Sequence, residues 1–335
     1  MSNSTNRKIL YVTDDRSAYP AGSYYLAFQN AFAAYSEQTV IHPLTEVGAE
    51  IDFNLFDLIV IGHGTIDCCN DVLQDLSSLL GRIRFRKLVL KKLRDCRIPK
   101  IFFSKNDYKN FNKKLALIDF IRPDLVITHT KEAVGDLSAS GVKTIWMPFG
   151  VDNRLFRETR KEKFFDIGFR SSRNTTWNQG LRERFYAELE KLTALYRTSL
   201  HISNVAENFL LGEEYADWLS SCNLLANTVS ARGTVGPQFW ESMACGCVPL
   251  APENSYEDLL KADVHYVAVK EDLSNLREKI EQFLSDQTYR DNLKENCRKM
   301  VDKVNVYALA EKLLARIGKT GVTNSQSKES IFFPD

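Results

Sequence analysis

Several motifs by which enzyme classes are commonly recognised are missing from this sequence. Its 335 residues contain neither a GxGxxG fingerprint nor a GxxxxGK[ST] loop, so a dinucleotide-binding or P-loop protein loses its main support. The sequence also has no GxSxG elbow and no Asp-x-Asp pair of the kind that holds a metal on a nucleotide sugar. The chemistry must therefore come from other residue patterns.

The cysteines form no recognisable framework. The seven cysteines are odd in number and show neither CxxC spacing nor a zinc-binding cluster, which favours free thiols in a reducing compartment. No apolar run approaches the ~18 residues that a membrane span needs. The first residues lack the apolar core of a signal peptide. We therefore expect a cytoplasmic protein.

Charge is almost balanced over the whole chain. The formal net charge of +1 gives no overall field that would attract nucleic acid, so no nucleic-acid partner is expected. Locally, the stretch from Arg82 to Arg94 interleaves basic with apolar residues. Two interpretations stay open: a peripheral contact with an anionic membrane or an acidic acceptor, or a solvated helix face whose Lys and Arg stems cover the core.

The pattern of apolar runs indicates an α/β protein. The length suggests two domains of roughly 150 residues each. In both halves short apolar strands alternate with helical segments, which is typical of parallel sheets covered on both faces. We divide the chain into an N-terminal domain at 1–150, a C-terminal domain at 151–320 and a flexible tail at 321–335.

Polar side chains follow several predicted strands of the first half. Asp14, His63, Asp107 and His129 each come within a few residues after an apolar run. Ligands of open α/β sheets bind beyond the carboxyl ends of the strands, so we expect these side chains to line one cleft, with Asp14 the weakest of the four. Taken singly, each Asp also fits a helix N-cap, and each His an ordinary hydrogen-bonded loop residue.

In the second half, a helix is predicted from Pro237 to Ala244. Proline suits the first helical turn, and Gly246 suits the left-handed position just past the end. The first amides of such a helix lack partners and carry partial positive charge, which attracts anions. One turn on, Glu241 offers a carboxylate that accepts hydrogen bonds from paired sugar hydroxyls. An ordinary amphipathic helix with one surface glutamate explains the pattern equally well.

Two arginines extend this site. Arg170 and Arg173 follow the first predicted strand of the second half. The planar guanidinium bonds phosphate oxygens bidentately, so the pair could clamp a diphosphate and stabilise it as a leaving group without a metal. Pairing with acids on the loop surface remains the alternative.

These segments together resemble the C-terminal domain of the GT-B glycosyltransferases, most closely the GT4-like retaining group and the CgeB-like proteins. The resemblance is carried by Tyr215 to Asn227, by Arg232 and by Phe239 to Leu250. Pro148 to Asp152 resembles the interdomain linker of those proteins. Tyr307 to Ile317 resembles their closing helix, which packs back on the N-terminal domain.

The resemblance implies two Rossmann-like domains facing across a cleft and a nucleotide sugar as the donor, with no metal or other cofactor. In that family the glutamate corresponding to Glu241 holds the ribose. The positions implied to bind the diphosphate are Arg170, Arg173, Thr234, Gly236, Pro237 and Gln238. The family pattern has a further glutamate where this chain has Thr234, which leaves the donor sugar undefined. His63, Asp107 and His129 are the candidate catalytic residues for contact with the donor sugar or the acceptor.

The predicted activity is transfer of a sugar, with retention, to a glycan, a lipid-linked intermediate or a protein. Two alternatives keep the fold. A nucleotide-sugar epimerase or hydrolase needs two acid/base carboxylates, for which Asp14 and Asp107 are the only candidates. A non-catalytic binding or scaffold protein is supported best by the missing glutamate at Thr234.

Overall fold

The computed structural model describes residues 5–13, 24–43, 51–63, 90–105, 107, 111–160, 162–171, 179–202, 210–228 and 231–320. The chain divides into two compact units. The first unit comprises Met1–Pro148 and Tyr307–Asp335, and the second comprises Phe149–Val306. The predicted tail at 321–335 lies outside the described residues.

The first unit contains a six-stranded sheet in which every pair of neighbours is parallel. Its strands are β1 (Thr5–Thr13), β2 (Ser36–Pro43), β3 (Leu58–Ile61), β4 (Lys100–Ser104), β5 (Leu125–Thr128) and β6 (Thr144–Trp146). They lie in the order β2-β1-β3-β4-β5-β6. Five of these strands were expected from their apolar runs. The edge strand β2 was not, because it is mostly polar and is paired on one side only.

Helices cover this sheet. They are α1 (Tyr24–Ala34), α2 (Phe111–Ile121), α3 (Ala133–Ser138) and a helical stretch at residues 90–95. Apolar residues of the 90–95 stretch, α2 and α3 form one core cluster with side chains of β1, β3, β4 and β5. The later helix α9 (Val306–Thr320) is assigned, from Tyr307 onwards, to this unit.

The second unit contains a five-stranded parallel sheet with the order β11-β10-β9-β7-β8. Its strands are β7 (Phe165–Ser171), β8 (Thr198–Ile202), β9 (Cys222–Ala226), β10 (Val248–Pro252) and β11 (Val267–Val269). Its helices are α4 (Gln179–Lys191), α5 (Gly212–Ser221), α6 (Pro237–Ala244), α7 (Leu276–Ser285) and α8 (Gln287–Lys303). The prediction of an α/β fold with two Rossmann-like sheets is confirmed.

The two sheets share one topology. In each, the first strand of the unit lies between the second and the third, so the strand order reverses between β1 and β3 and between β7 and β9. Ligands of open α/β sheets bind beyond the carboxyl ends of the strands at such a reversal. The fold therefore marks one candidate position in each unit. Among the described residues, no helix has the length and apolarity to cross a membrane.

Candidate functional site

Helix α6 begins and ends where the glycine and proline residues at its two ends predict. Gly236 is the extended N-cap residue, Pro237 occupies the first turn, and no side chain of the described residues caps this end. At the other end Gly246 has a φ of +69°, a left-handed conformation that glycine adopts without strain. Pro237 has no N–H and the Phe239 amide donates to the carbonyl oxygen of Gly236 at 3.1 Å, so within the described residues the uncapped start leaves the Gln238 amide available to an anion.

Burial of one face of α6 fixes which side chains can reach a ligand. Phe239, Trp240 and Met243 are buried and anchor the helix on the sheet. Glu241 lies on a partly exposed face, and among the described residues no group hydrogen-bonds or ion-pairs with its carboxylate. Burial raises the pKa of Glu241 from its ordinary value of 4.5 to about 8. A carboxyl group in this state gains most from hydrogen-bond donors, which stabilise its ionised form.

Gln238 ties the start of α6 to the end of β7. Its Nε2 donates to the carbonyl oxygen of Arg170 at 3.2 Å and to the hydroxyl of Tyr215 at 3.0 Å. The guanidinium of Arg170 lies over the ring of Trp218, 5.3 Å from its centroid, in a cation–π contact. The predicted strand ended before Arg170, but the observed β7 includes it. A positive charge thus lies near the carboxyl end of β7, beside the point where the strand order reverses.

The loop that precedes α6 is held by a hydrogen bond to Glu257. Thr234 is buried, and the amide of Val235 donates to Oε2 of the buried Glu257 at 3.4 Å. Glu257 has a φ of +58°, and its neighbours Tyr256 and Asp258 are left-handed as well. This conformation is uncommon outside glycine, and it turns the Glu257 carboxylate towards the loop.

The structure brings together Arg170 and the α6 start formed by Gly236, Pro237 and Gln238, with Glu241 one turn further along. Arg173, implied to bind phosphate, and Asp14, the weakest candidate of the first half, lie outside the described residues.

Of the basic stretch from Arg82 to Arg94, only the last five residues are described. Leu90 and Leu93 pack into the core of the first unit, whereas Lys91 and Lys92 are exposed. This end has the amphipathic character expected from the sequence.

In the first unit, His63 and His129 contact each other directly. Their Nε2 atoms are 2.5 Å apart, and Nδ1 of His129 is 2.8 Å from the carbonyl oxygen of Met147. Since a carbonyl only accepts, His129 donates from Nδ1, and its neutral Nε2 then accepts from Nε2–H of His63. Both rings are buried against Phe28 and Phe103. Burial lowers both pKa values, that of His129 to about 4, so the pair is neutral at pH 7.

Asp107 is fully buried and engaged on both carboxylate oxygens. The hydroxyl groups of Ser104 and Thr128 donate to it, and Nζ of Lys114 lies 3.1 Å from Oδ1. These partners belong to β4, β5 and α2, so the carboxylate joins three elements. Its geometry suits a residue that stabilises the packing of these three elements. A catalytic contribution of Asp107 stays a prediction, as it does for His63 and His129.

Sequence reasoning missed three residues near the second-unit site: His201, Tyr215 and Glu257. His201 lies inside β8, one residue before its end, so the rule that selected His63 and His129, which takes residues after a strand, does not find it. Tyr215 lies in the segment that carried the family resemblance. Glu257 gives no sequence signal, because its left-handed turn is not encoded by a glycine. Among the described residues, no group of three or more His, Cys, Asp or Glu could hold a metal ion.

Comparison with known proteins bears on both units. The family described as "Glycosyl transferase-like" matches residues 179–321, which include α5 and α6. No curated protein matches the sequence.

Solved structures with the same fold align over nearly the whole chain. Anabaena HepE, in a complex with UDP and glucose, aligns with a TM-score of 0.61 at 12% identity, covering 94% of this chain and 100% of that chain. Sucrose-phosphate synthase from Thermosynechococcus elongatus aligns with a TM-score of 0.58 at 12% identity, covering 96% and 100%. A glycosyltransferase from Rickettsia africae aligns with a TM-score of 0.57 at 11% identity, covering 96% and 100%.

At these identities the structural likeness shows the fold alone, and that fold is GT-B. The glycosyl transferase-like family model matches residues 179–321, less than half of the chain.

Proposed function

We propose that this protein is a glycosyltransferase that uses a nucleotide sugar as its donor and binds it through the second unit. The observation that carries the proposal is the arrangement at α6. An uncapped helix start, a guanidinium beside it and an unpaired glutamate one turn on supply the contacts that a diphosphate and a ribose require.

The diphosphate lies, in this proposal, between Arg170 and the first turn of α6. The guanidinium and the helix-start amides stabilise the negative charge that develops as the sugar leaves. Because this positive charge comes from the protein, the proposed transfer is independent of a metal ion. HepE has been solved with UDP-glucose, so uridine diphosphate sugars are the first donors to test.

Glu241 holds the ribose in this proposal. Two neighbouring ribose hydroxyls donate to its carboxylate, and these bonds favour the ionised form that burial otherwise disfavours. The unpaired state of Glu241 among the described residues supports this assignment over that of a surface glutamate.

The proposed reaction retains the configuration of the sugar. The bond between the anomeric carbon and the diphosphate oxygen breaks while the acceptor hydroxyl attacks the same face, and the departing phosphate takes the acceptor proton. The enzyme then contributes positioning and charge stabilisation rather than a nucleophile. The geometry disfavours the epimerase alternative, because Asp107 already accepts hydrogen bonds on both oxygens.

The acceptor is proposed to be a glycan, a lipid-linked intermediate or a protein, reached in part through the basic stretch around Lys91 and Lys92. Co-sedimentation with anionic vesicles, compared with neutral vesicles, tests the membrane-associated form. Binding that is unchanged by Lys91→Gln with Lys92→Gln, and by salt, would contradict it.

The donor assignment is tested by initial rates of sugar transfer from UDP sugars in the presence of EDTA. Arg170→Ala should lower kcat roughly 100-fold, as loss of a transition-state donor does, whereas the control Arg298→Ala, at an exposed position of α8, should not. Rates that need a divalent metal, or that Arg170→Ala leaves unchanged, would overturn the metal-independent mechanism.

A further inference from the structure

A pocket of the first unit lies where the chain enters β3 and β4. Its volume is ≈ 460 Å³, within the ~300–1,000 Å³ typical of sites that take a ligand. One wall comes from the segment ahead of β3 and the other from the helical stretch ahead of β4. The lining residues that matter are Ile51, Phe53, Asn54, Lys91, Lys92 and Cys96.

This pocket and the candidate catalytic residues of the first unit lie at opposite ends of the sheet. Strands β3 and β4 are parallel neighbours, and the pocket walls precede both of them, whereas His63 follows β3 and Asp107 follows β4. Strands of this length, at about 3.3 Å per residue, separate the two ends by roughly 15 Å. A group in the pocket therefore does not reach His63 or Asp107, and the pocket suits a molecule that is held rather than transformed.

The floor of the pocket is apolar. Ile51, Phe53 and Cys96 pack against the core cluster of the first unit and stay partly accessible. Leu55, in the same short 3-10 helix as Phe53, is 65% exposed. Apolar surface of this kind gains free energy when another apolar side chain covers it. The floor is therefore suited to an apolar side chain of a partner.

The rim of the pocket, formed by Lys91 and Lys92, is positively charged because the nearby acids are already engaged. Asp95 pairs with Arg94 at 2.8 Å, and Asp52 accepts two hydrogen bonds from its own turn. Lys91 and Lys92 are exposed, and no carboxylate within the described ranges forms an ion pair with either of them. The two ammonium groups are thus available to carboxylates of a partner.

The sequence that leads into the pocket has the same sign of charge. From Arg82 to Arg94 it carries seven basic residues and no acidic one. A helix that binds a membrane buries its apolar face among the lipids, but Leu90 and Leu93 of this stretch are buried in the core of the protein. A concave apolar floor with a basic rim therefore favours a protein partner over a bilayer.

We propose that this pocket docks an acidic segment of a partner protein. An apolar side chain of the segment packs on Ile51 and Phe53. Carboxylates on either side of that side chain pair with Lys91 and Lys92. The inference goes beyond the proposed glycosyl transfer and does not rest on it, because no residue of the proposed donor site takes part.

Fluorescence polarisation tests the docking with the full-length chain and a fluorescein-labelled peptide in which aspartates flank two leucines. Lys91→Gln with Lys92→Gln removes two exposed ion pairs and should weaken binding roughly tenfold. The matched control is Lys261→Gln with Lys270→Gln, at exposed positions of the second unit, which changes the net charge equally and should bind as the wild type does.

Two further comparisons separate the pocket from a merely basic surface. A peptide with serines in place of the leucines keeps its charge and should bind roughly 10- to 100-fold more weakly, the value of a buried leucine. Asn54→Trp, at an exposed position of the lining, fills the pocket without changing the charge of the protein. This variant should weaken binding of the leucine peptide to the level of the serine peptide.

Cys96 provides a measurement at the pocket itself. Among the described cysteines only Cys96 is not buried, so in a background with Cys68→Ser and Cys69→Ser iodoacetamide should label it first. Bound peptide should slow this labelling in proportion to the occupied fraction.

The docking proposal is overturned if the wild type does not bind the leucine peptide, or if the wild type and the Lys91/Lys92 variant bind it equally. Labelling of Cys96 at an unchanged rate under saturating peptide would overturn it as well. Binding of anionic vesicles, or self-association of the chain, that depends on Lys91 and Lys92 while the peptide does not bind would assign the surface to a membrane or to a second copy instead.

Discussion

Asp107 and Glu241 are both poorly solvated carboxylates near the edge of a parallel sheet where its strands end. They differ in whether the chain supplies hydrogen-bond donors to them. Asp107 accepts two hydroxyl hydrogen bonds and pairs with Lys114. Glu241 has no such partner among the described residues, and burial raises its pKa to about 8. A carboxylate whose oxygens are satisfied by the chain itself stabilises the fold. One that the chain leaves without donors is suited to a ligand that brings them.

The histidines of the first unit show the limit of arguing from position. His63 and His129 each follow a strand, yet they hydrogen-bond to each other and pack between aromatic rings. Position at a strand end is therefore not enough to identify a binding residue.

Asp107→Ala is expected to have the largest effect, on stability, and its result could contradict the contrast between Asp107 and Glu241. Removing the carboxylate leaves the buried Lys114 ammonium without its counter-ion, although it still donates to the Lys105 carbonyl oxygen. The free energy of unfolding should therefore fall by about 3–5 kcal/mol. Urea denaturation measures this, with Asp119→Ala, at an exposed position of the same helix α2, as the control. A decrease in the free energy of unfolding below about 1 kcal/mol would show that Asp107 does not stabilise the packing of β4, β5 and α2. It would favour the catalytic assignment instead.

Glu241→Ala is expected to have the opposite profile. Hydrogen bonds to a charged group are worth about 1.5–3 kcal/mol, so the affinity for a nucleoside diphosphate should fall roughly 10- to 100-fold. The matched control is Glu278→Ala, at an exposed position of α7, which should bind as the wild type does. Unchanged affinity of Glu241→Ala in calorimetry would refute the ribose assignment.

The stability of a second variant at this position, Glu241→Gln, makes the contrast with Asp107 clearer. Because the folded state holds the Glu241 proton more tightly than the unfolded state, this group lowers the stability of the free protein as pH rises from 4.5 to 8. Glu241→Gln should therefore raise the melting temperature at pH 8 and have little effect near pH 4. A lower melting temperature at pH 8 would indicate that Glu241 has a stabilising partner.

Substitutions of Glu257 are expected to have the smallest effect. They test whether the Glu257 carboxylate, which accepts a hydrogen bond from the Val235 amide, holds the loop that leads into the helix carrying Glu241. Glu257→Ala removes the acceptor of the Val235 amide and should cost about 1 kcal/mol of stability. Glu257→Gln keeps a carbonyl oxygen and should recover most of it. Thermal unfolding with and without a nucleoside diphosphate follows both variants. Equal behaviour of the two would show that this bond does not hold the loop.

The sequence predicted the helices and strands better than the hydrogen-bond partners of individual side chains. Helix α6 could be placed because Pro237 and Gly246 mark its two ends. Strands β3, β4 and β5 could be placed because each contains a run of apolar residues. The edge strand β2 could not, since its pattern is mostly polar.

The partners of Asp107 come from β4, β5 and α2, and the contact between Glu257 and Val235 depends on a left-handed turn. Such arrangements arise only when distant elements pack, so a polar residue after a strand looks the same in sequence whether or not its oxygens are already occupied.

Proton exchange on nucleotide binding tests the central claim most directly. With a pKa of about 8, Glu241 is mostly protonated at pH 7 in the free protein. Ribose hydroxyls that donate to its carboxylate should lower that pKa and expel the proton. Titration with UDP at pH 7, in two buffers of different ionisation enthalpy, should therefore show proton release of up to one proton in the wild type and none in Glu241→Gln. Binding without proton release in the wild type, or equal release in both proteins, would contradict the assignment of Glu241 to the donor nucleotide.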